Sequence, residues 1–374
     1  MKYLQVYEGI FGEQMKRVRT AELHPGMKTA EDVYSYNNQM VLPQGTVLTD
    51  KMITRLEFYS ILSIQVTDES GPFKRSISHV QEGAPYSDKI KSSKQFREFE
   101  KAFLRTAESF KNDLHGIVEF RTQIDPQKLC DSVTGLITKN MTGSAVFDMM
   151  HNMREYDDYT YIHSINVSLI CHIFGKWLKL SKREIEILTL CGLLHDVGKL
   201  MIPESIMKKP AKLTPDEYNI VKTHALQGYN ILKDYDINVN IKEAALMHHE
   251  RCDGSGYPLG LTGDKINPYA KIVAIADVYD AMTSARTYRG PLCPYKVIGI
   301  FESEGLQKYE GKYILTFLEH IAETYMSNRI RLSNGLEGDV VFMNKNSLSK
   351  PLIQCGDDFI DLSRDPAVYI ETFV

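Results

Sequence analysis

A set of five histidines and two aspartates, spread through helical patterns between residues 163 and 277, constrains this chain more than any other feature. Imidazole nitrogens and carboxylate oxygens are the ligands that first-row divalent metals of intermediate hardness bind. Seven ligands exceed the roughly four to six positions of one ion, and two ions that share a carboxylate are typical of enzymes that hydrolyse phosphate esters. The sequence therefore predicts a two-metal site. Its ligands are His163, His195, Asp196, His224, His248, His249 and Asp277.

The alternative is that these histidines are ordinary residues of a helical core. Against it, the pair His195-Asp196 ends the apolar run 185–194, where an unpaired buried carboxylate would cost free energy. A nearby cation removes that cost, so we favour the metal site. The remaining histidines lack such a context and receive no assigned role: His24, His79, His115, His151, His172 and His320.

Composition limits the class of protein. A chain of 374 residues with 43% hydrophobic and 25% charged residues is typical of a globular protein with two or three domains. A net charge of −4 gives no electrostatic basis for binding duplex nucleic acid. The six cysteines have no paired spacing, which favours free thiols and a cytoplasmic location. No signal peptide is predicted, because the first twenty residues have no sustained apolar stretch, and no membrane span is predicted, because no run of 18 apolar residues occurs.

The patterning predicts a mainly α protein: an all-α bundle with a small N-terminal α+β module and a short C-terminal β extension. Strand-like pieces and turn signals precede residue 70, and helical periodicity starts near residue 95. After Asn328 the pattern alternates around Ser333-Asn334-Gly335, which predicts a hairpin. We divide the chain into a module at 1–70, a linker and connecting helix at 71–124, the helical domain at 125–327 and the extension at 328–374. Predicted helices of the domain are 126–139, 143–152, 158–179, 182–198, 215–233, 239–250, 268–286, 295–307 and 313–327.

Residues beside the ligands predict contacts to an anion. His195 and Lys199 are four apart, so we expect both on one helical face, with the Lys199 ammonium neutralising a phosphate oxygen. Asp280 follows Asp277 by one turn and is expected to orient a ligand. Arg286 lies just past that helix, where we favour a phosphate or base contact over an ordinary surface charge.

Three motifs carry a resemblance to a known family. The run His195 to Lys199, the run His248 to Pro258 and the run Ala276 to Thr283 resemble the HD-GYP family of cyclic-di-GMP phosphodiesterases, a branch of the HD hydrolase superfamily. The resemblance covers about residues 125–327 and implies an all-α HD-type bundle. It assigns one ion to His163, His195, Asp196 and Asp277, and the other to the bridging Asp196 with His224, His248 and His249.

The resemblance also implies roles for other residues. Lys199, Tyr257 and Arg286 would contact the dinucleotide, and His195, Asp196 and Lys199 would form the catalytic centre. Some members hold a third metal through a glutamate where this chain has Tyr159, with Glu155 a full turn away, so two ions are expected here. The donor set suits several metals, and the resemblance favours Fe or Mn.

The expected reaction is hydrolysis of cyclic-di-GMP to linear pGpG, with slower cleavage to GMP, by hydroxide formed at the two metals. Two alternatives stay open: a phosphohydrolase for another nucleotide such as cyclic GMP-AMP, and a catalytically silent receptor for a cyclic dinucleotide. The N-terminal module carries no motif and is open to a sensory, dimerising or protein-binding role. Partners beyond the substrate would be a second copy of the chain or a signalling protein.

Overall fold

The computed structural model divides the chain into two compact units, residues 1–80 and 81–374. Secondary structure in both units follows the pattern expected from the sequence: short strands first, then helices, then strands again. The prediction of a mainly α protein with small sheets towards both ends is confirmed. The structure describes residues 15–20, 23–34, 40–49, 52–53, 56, 61, 63–67, 90–138, 141–153, 159–207, 209, 213–284, 292–326, 328–365 and 367–374.

Short antiparallel strands build the first unit. A central strand pairs with two others in the order β1-β5-β2, and β3 pairs with β4. Alternate strand residues such as Val18, Ile64 and Val66 are buried in its apolar core. The strands are β1 (Met15–Arg19), β2 (Lys28–Thr29), β3 (Val33–Tyr34), β4 (Met40–Leu42) and β5 (Ser63–Thr67). The sequence also predicts a short helix from Lys51 to Phe58, and most of it lies outside the described residues.

Helices make up most of the second unit. The first of them begins at the Ser93 cap and buries an apolar stripe that includes Phe103 and Phe110. The helices are α1 (Lys94–Phe120), α2 (Pro126–Thr134), α3 (Gly143–Asn152), α4 (Tyr159–Trp177), α5 (Lys182–Leu194), α6 (Glu204–Met207), α7 (Pro215–Lys222), α8 (His224–Leu232), α9 (Val239–Met247), α10 (Pro268–Thr283), α11 (Pro294–Ile300) and α12 (Gly311–Thr324).

The bundle brings the ligand-bearing helices together. Helix α4 packs against α5 and α10, and α9 packs against α5, α8 and α10. Each of these helices carries or directly precedes one of the predicted ligands.

In the described part of the chain, no helix combines the length and apolar character needed to cross a membrane.

The helix expected at 126–139 ends at Thr134, and two predictions near the metal ligands were also wrong at their boundaries. The helix expected at 182–198 ends at Leu194 and continues as a 3-10 turn, Val197–Met201, so His195 and Lys199 do not share an α-helical face. The cause is the tertiary contact of Gly198, whose backbone lies against α8 so closely that a Cβ would collide with the His224 carbonyl oxygen. The helix expected at 215–233 is likewise divided at Thr223 into α7 and α8.

A five-stranded antiparallel sheet follows the last helix, in the order β10-β6-β7-β8-β9. The predicted hairpin is confirmed as β6 paired with β7. The Glu302 carboxylate, just beyond α11, accepts hydrogen bonds from the Leu348 and Ser349 backbone, and so joins this sheet region to the bundle. The strands are β6 (Arg329–Leu332), β7 (Glu337–Phe342), β8 (Leu352–Cys355), β9 (Asp358–Asp361) and β10 (Ile370–Phe373).

Candidate metal centre

The seven residues predicted as metal ligands come together within the bundle. His163 lies on α4, His195-Asp196 follows α5, and His224 opens α8. His248-His249 follows α9, and Asp277 lies on α10. All are buried except His249, which is partly exposed.

The carboxylate of Asp196 lies between two groups of histidines. Its Oδ1 is 3.3 Å from His224 Nε2 and 3.7 Å from His248 Nε2. Its Oδ2 is 3.2 Å from His195 Nε2 and 3.6 Å from His163 Nε2. These contacts form two sets of donor atoms, each close enough to surround an ion. The first set is His163, His195 and Asp196, and the second is Asp196, His224, His248 and His249.

Asp277 contacts a member of each set. One of its oxygens is 3.0 Å from His163 Nε2, and the other is 3.8 Å from His249 Nδ1. It lies beside the donor sets without belonging to either. The geometry therefore brings all seven predicted ligands together around Asp196.

Backbone carbonyls orient three of the imidazoles. The Nδ1 atoms of His195 and His224 are each 2.7 Å from the carbonyl oxygen three residues earlier, and His248 Nδ1 is 3.1 Å from that of Ala244. A carbonyl only accepts, so these nitrogens carry the proton, and in a neutral ring the lone pair is left on Nε2. Each ring thus directs a donor atom towards Asp196.

Several contacts require a cation to be favourable. His224 Nε2 and His248 Nε2 are 3.2 Å apart, although both would carry lone pairs in this tautomer. Among the described residues, His195 Nε2 and Asp196 Oδ1 are buried without a hydrogen-bond partner, which is costly. A divalent cation would satisfy these atoms together, so the residues fit a metal site.

Protonation states agree with metal binding. Burial lowers the pKa of His224 to about 4, and burial holds the pKa values of His248 and His249 well below the usual range. Burial alone would raise the pKa of Asp196, but His195 and Lys199 hold it well below its usual value. Neutral imidazoles and ionised carboxylates are the forms that bind metal.

Lys199 adds a cation beside the bridging carboxylate. Its Nζ lies 2.5 Å from Asp196 Oδ2, and its side chain is partly exposed. Although the 3-10 turn replaces the predicted helix, Lys199 and His195 both contact Asp196. A phosphate at this carboxylate would therefore meet the ammonium group.

The glycine-rich loop after α9, residues 251–262, packs on the predicted metal ligand His249 and donates hydrogen bonds to a buried acid. The ring of Tyr257 stacks on His249 with centroids 4.6 Å apart. The buried Glu250 accepts hydrogen bonds from the Leu259 and Leu261 amides, at 2.7 and 2.9 Å. Sequence reasoning missed Glu250, although an acid placed between two histidines and a glycine-rich loop was an available signal.

Sequence reasoning also missed Asn166, which donates a hydrogen bond to Asp280 beside His163. Asp280 Oδ2 lies 2.7 Å from His163 Nδ1, and Asp280 Oδ1 accepts hydrogen bonds from Asn166 and Ser284, both at 3.1 Å. Asn166 follows His163 by three residues, so one helix face carries both. That spacing was the available signal.

Some predicted positions are not described. Arg286 lies in the segment 285–291 and Glu155 in 154–158, both outside the described residues. For Tyr159 the structure gives the backbone, as the first residue of α4. The predicted roles of these residues stay predictions.

Comparison with known proteins identifies the bundle. Residues 136–312 match the family model described as HD domain. The matched segment contains all seven predicted ligands. The resemblance to the HD-GYP branch, based on the three motifs, is confirmed.

Three relatives illustrate the range of this family. A cyclic di-GMP phosphodiesterase of Pseudomonas aeruginosa is 32% identical over 54% of this chain and 49% of its own length. A cyclic di-GMP phosphodiesterase response regulator of Xanthomonas campestris is 46% identical over 33% of each chain. A 3'3'-cGAMP-specific phosphodiesterase of Vibrio cholerae is 41% identical over 39% of this chain and 34% of its own. The chain thus spans half or less of these relatives.

Proposed function

We propose that this protein is a metal-dependent phosphodiesterase that hydrolyses cyclic-di-GMP to pGpG, with slower cleavage to GMP. The observation that carries the proposal is the sharing of Asp196 by two sets of metal-binding atoms inside an HD domain. Relatives named as cyclic di-GMP phosphodiesterases support the choice of substrate. A cytoplasmic location is part of the proposal, in keeping with six cysteines that form no disulfide.

The donor atoms would divide between two ions, with Fe or Mn favoured. One ion would be held by His163, His195, Asp196 and Asp277. The other would be held by Asp196 with His224, His248 and His249. When bound, divalent ions supply Lewis acidity, which polarises a phosphodiester and lowers the pKa of water enough for hydroxide to form near neutral pH.

The remaining site residues bind and orient the substrate. Lys199 neutralises a phosphate oxygen next to Asp196. Its Nζ is 2.5 Å from Asp196 Oδ2. Tyr257, packed on His249, offers an aromatic surface at the edge of the centre, and Arg286 is proposed to contact a phosphate or a guanine. Asp280 holds the tautomer of His163 by accepting a hydrogen bond from the protonated Nδ1.

Cyclic GMP-AMP is a second candidate substrate. It is favoured by the Vibrio cholerae relative, whose name specifies 3'3'-cGAMP and which is 41% identical over its matched segment. The metal ligands do not discriminate between guanine and adenine, because they would act on the phosphodiester that both substrates contain. The choice therefore depends on residues that contact the bases.

Product analysis with metal determination tests the proposal. Protein purified without oxygen is expected to contain about two Fe or Mn ions per chain and to convert cyclic-di-GMP to pGpG faster than it cleaves 3'3'-cGAMP. The double variant His195→Ala, Asp196→Ala is expected to lose metal and turnover while keeping its helical circular dichroism. Normal turnover by this variant would contradict the metal assignment. Binding of cyclic-di-GMP without hydrolysis, by protein loaded with metal, would favour the receptor alternative.

A further inference from the structure

Asn166 is a buried polar residue close to the metal centre for which the proposed reaction has no use. It is 2% exposed on α4, and its Nδ2 donates to Asp280 Oδ1 at 3.1 Å. Its own Oδ1 is buried and has no hydrogen-bond partner among the described residues. A buried acceptor left in this way costs free energy, so the Asn166 amide lowers the stability of the fold unless another of its contacts offsets that cost.

The hydrogen bonds of Asp280 show what the amide does. Asp280 Oδ2 is occupied by His163 Nδ1 at 2.7 Å, and Oδ1 accepts from Asn166 and Ser284. Donors on both oxygens restrict rotation of the carboxylate about its terminal bond. The plane of the carboxylate therefore determines where it holds the His163 ring.

His163 depends on Asp280 for its tautomer. Its Nε2 is 3.0 Å from Asp277 Oδ1 and 3.6 Å from Asp196 Oδ2. With the proton held on Nδ1 by Asp280, Nε2 presents a lone pair towards both carboxylates, as a metal ligand must. If Asp280 turned away, the proton could move to Nε2 and pair with Asp277, which would remove a metal ligand.

We infer that Asn166 is a positioning residue which acts through Asp280 to hold His163 as a metal ligand. The inference rests on the metal centre of the proposed function. It differs from that proposal because Asn166 is neither a predicted metal ligand nor a predicted substrate contact. The predicted consequence is a loss of metal affinity at the ion held by His163, with substrate affinity unchanged.

Calorimetric titration of Mn²⁺ into the full chain, stripped of metal, tests the inference without substrate. Asn166→Ala is expected to weaken one class of Mn²⁺ site by about tenfold, near the lower end of the effect of residues that support metal ligands. Asn166→Leu keeps the number and branching of the side-chain heavy atoms without the amide and is expected to show the same loss, with helical circular dichroism as the check on its fold. Ser168→Ala is the control, since Ser168 is buried two residues away on α4 and donates to the Thr189 carbonyl. It is expected to keep normal Mn²⁺ affinity.

Kinetics and a double-mutant cycle distinguish positioning from a general loss of structure. Asn166→Ala is expected to lower kcat at limiting Mn²⁺, to recover activity in excess Mn²⁺ and to leave KM within about twofold of the wild type. Combined with Asp280→Asn, it should add little to the loss caused by Asp280→Asn alone, because Asn166 acts on His163 only through the Asp280 carboxylate. Additive losses, or a Mn²⁺ affinity of Asn166→Ala and Asn166→Leu equal to that of the wild type, would overturn the inference and leave the proposed function intact. A wild-type chain that binds no Mn²⁺ or Fe²⁺ would overturn both.

Discussion

Gly198 lies directly against the backbone of His224, so that a Cβ atom at residue 198 would overlap the His224 carbonyl oxygen and the Gly228 amide. This contact places the 3-10 turn carrying Lys199 on α8, which begins with the ligand His224. The absence of a side chain at residue 198 is therefore a condition for Asp196 and His224 to meet.

We expect Gly198→Ala to destabilise the protein by about 3 kcal/mol or more, because neither backbone can move aside without disturbing the core. Urea unfolding of protein stripped of metal measures this effect. Gly311→Ala is the matched control, since a Cβ there has no atom within 4 Å. Equal unfolding midpoints for the two variants would show that the turn and α8 can separate.

Glu250 is expected to hold the loop that carries Tyr257. In Glu250→Gln, one amide hydrogen bond from Leu259 or Leu261 is replaced by two donors that face each other, at a cost of about 1–3 kcal/mol. Faster hydrogen exchange at these two amides and a raised KM would result. The exposed Glu319→Gln serves as the control and should change neither measurement. Unchanged exchange in Glu250→Gln would mean that the loop is held by its other contacts.

Arg286 is expected to contact the anionic ligand outside the metals. Loss of a charged hydrogen bond in Arg286→Ala should weaken cyclic-dinucleotide binding by about ten- to a hundredfold and leave metal content unchanged. An arginine that faces water would matter by less than about 0.5 kcal/mol. Calorimetric titration with a non-hydrolysable cyclic-di-GMP analogue separates these cases, and equal affinities would exclude the contact.

His172 is expected to make the bundle sensitive to acid. Burial lowers the pKa of this ring on α4 to about 4, while the unfolded chain takes up the proton near 6.5. The unfolded state therefore binds more protons between these two pH values, and stability present above pH 6.5 is lost as the pH falls towards 4. In His172→Gln, the loss of stability between about pH 7 and about pH 5 should be smaller by about 1 kcal/mol, a figure reduced for the partial exposure of the ring. Urea unfolding with a chelator present removes the contribution of metal, and an identical pH dependence in both proteins would rule out this role.

The sequence was informative where a local pattern carries the information. Helical periodicity predicted α4, α5, α9 and α10, and adjacency of histidine and aspartate predicted the ligands that these helices bring together. The turn at Val197–Met201 was missed because its cause is a contact with α8, about thirty residues away, which periodicity does not report.

Asn166 and Glu250 were missed for a different reason. Asn166 is an amide, and Glu250 belongs to neither set of donor atoms, so the importance of both follows from hydrogen bonds that only the folded chain shows. Asn166 donates to a residue 114 positions later, and Glu250 accepts from amides nine and eleven positions later. A supporting residue is recognised by its partner, and the partner is known only once the fold is known.

The orientation of His195, His224 and His248 by carbonyls of their own helical turns has a consequence for the order of folding. Each of these rings is aimed by an oxygen three or four residues away, so its direction is set as soon as its helix forms. His163 is aimed by Asp280, 117 residues further along the chain, and contacts between such distant residues form late. We therefore expect the His224 and His248 rings to be oriented before the His163 ring, which needs α10 packed against α4.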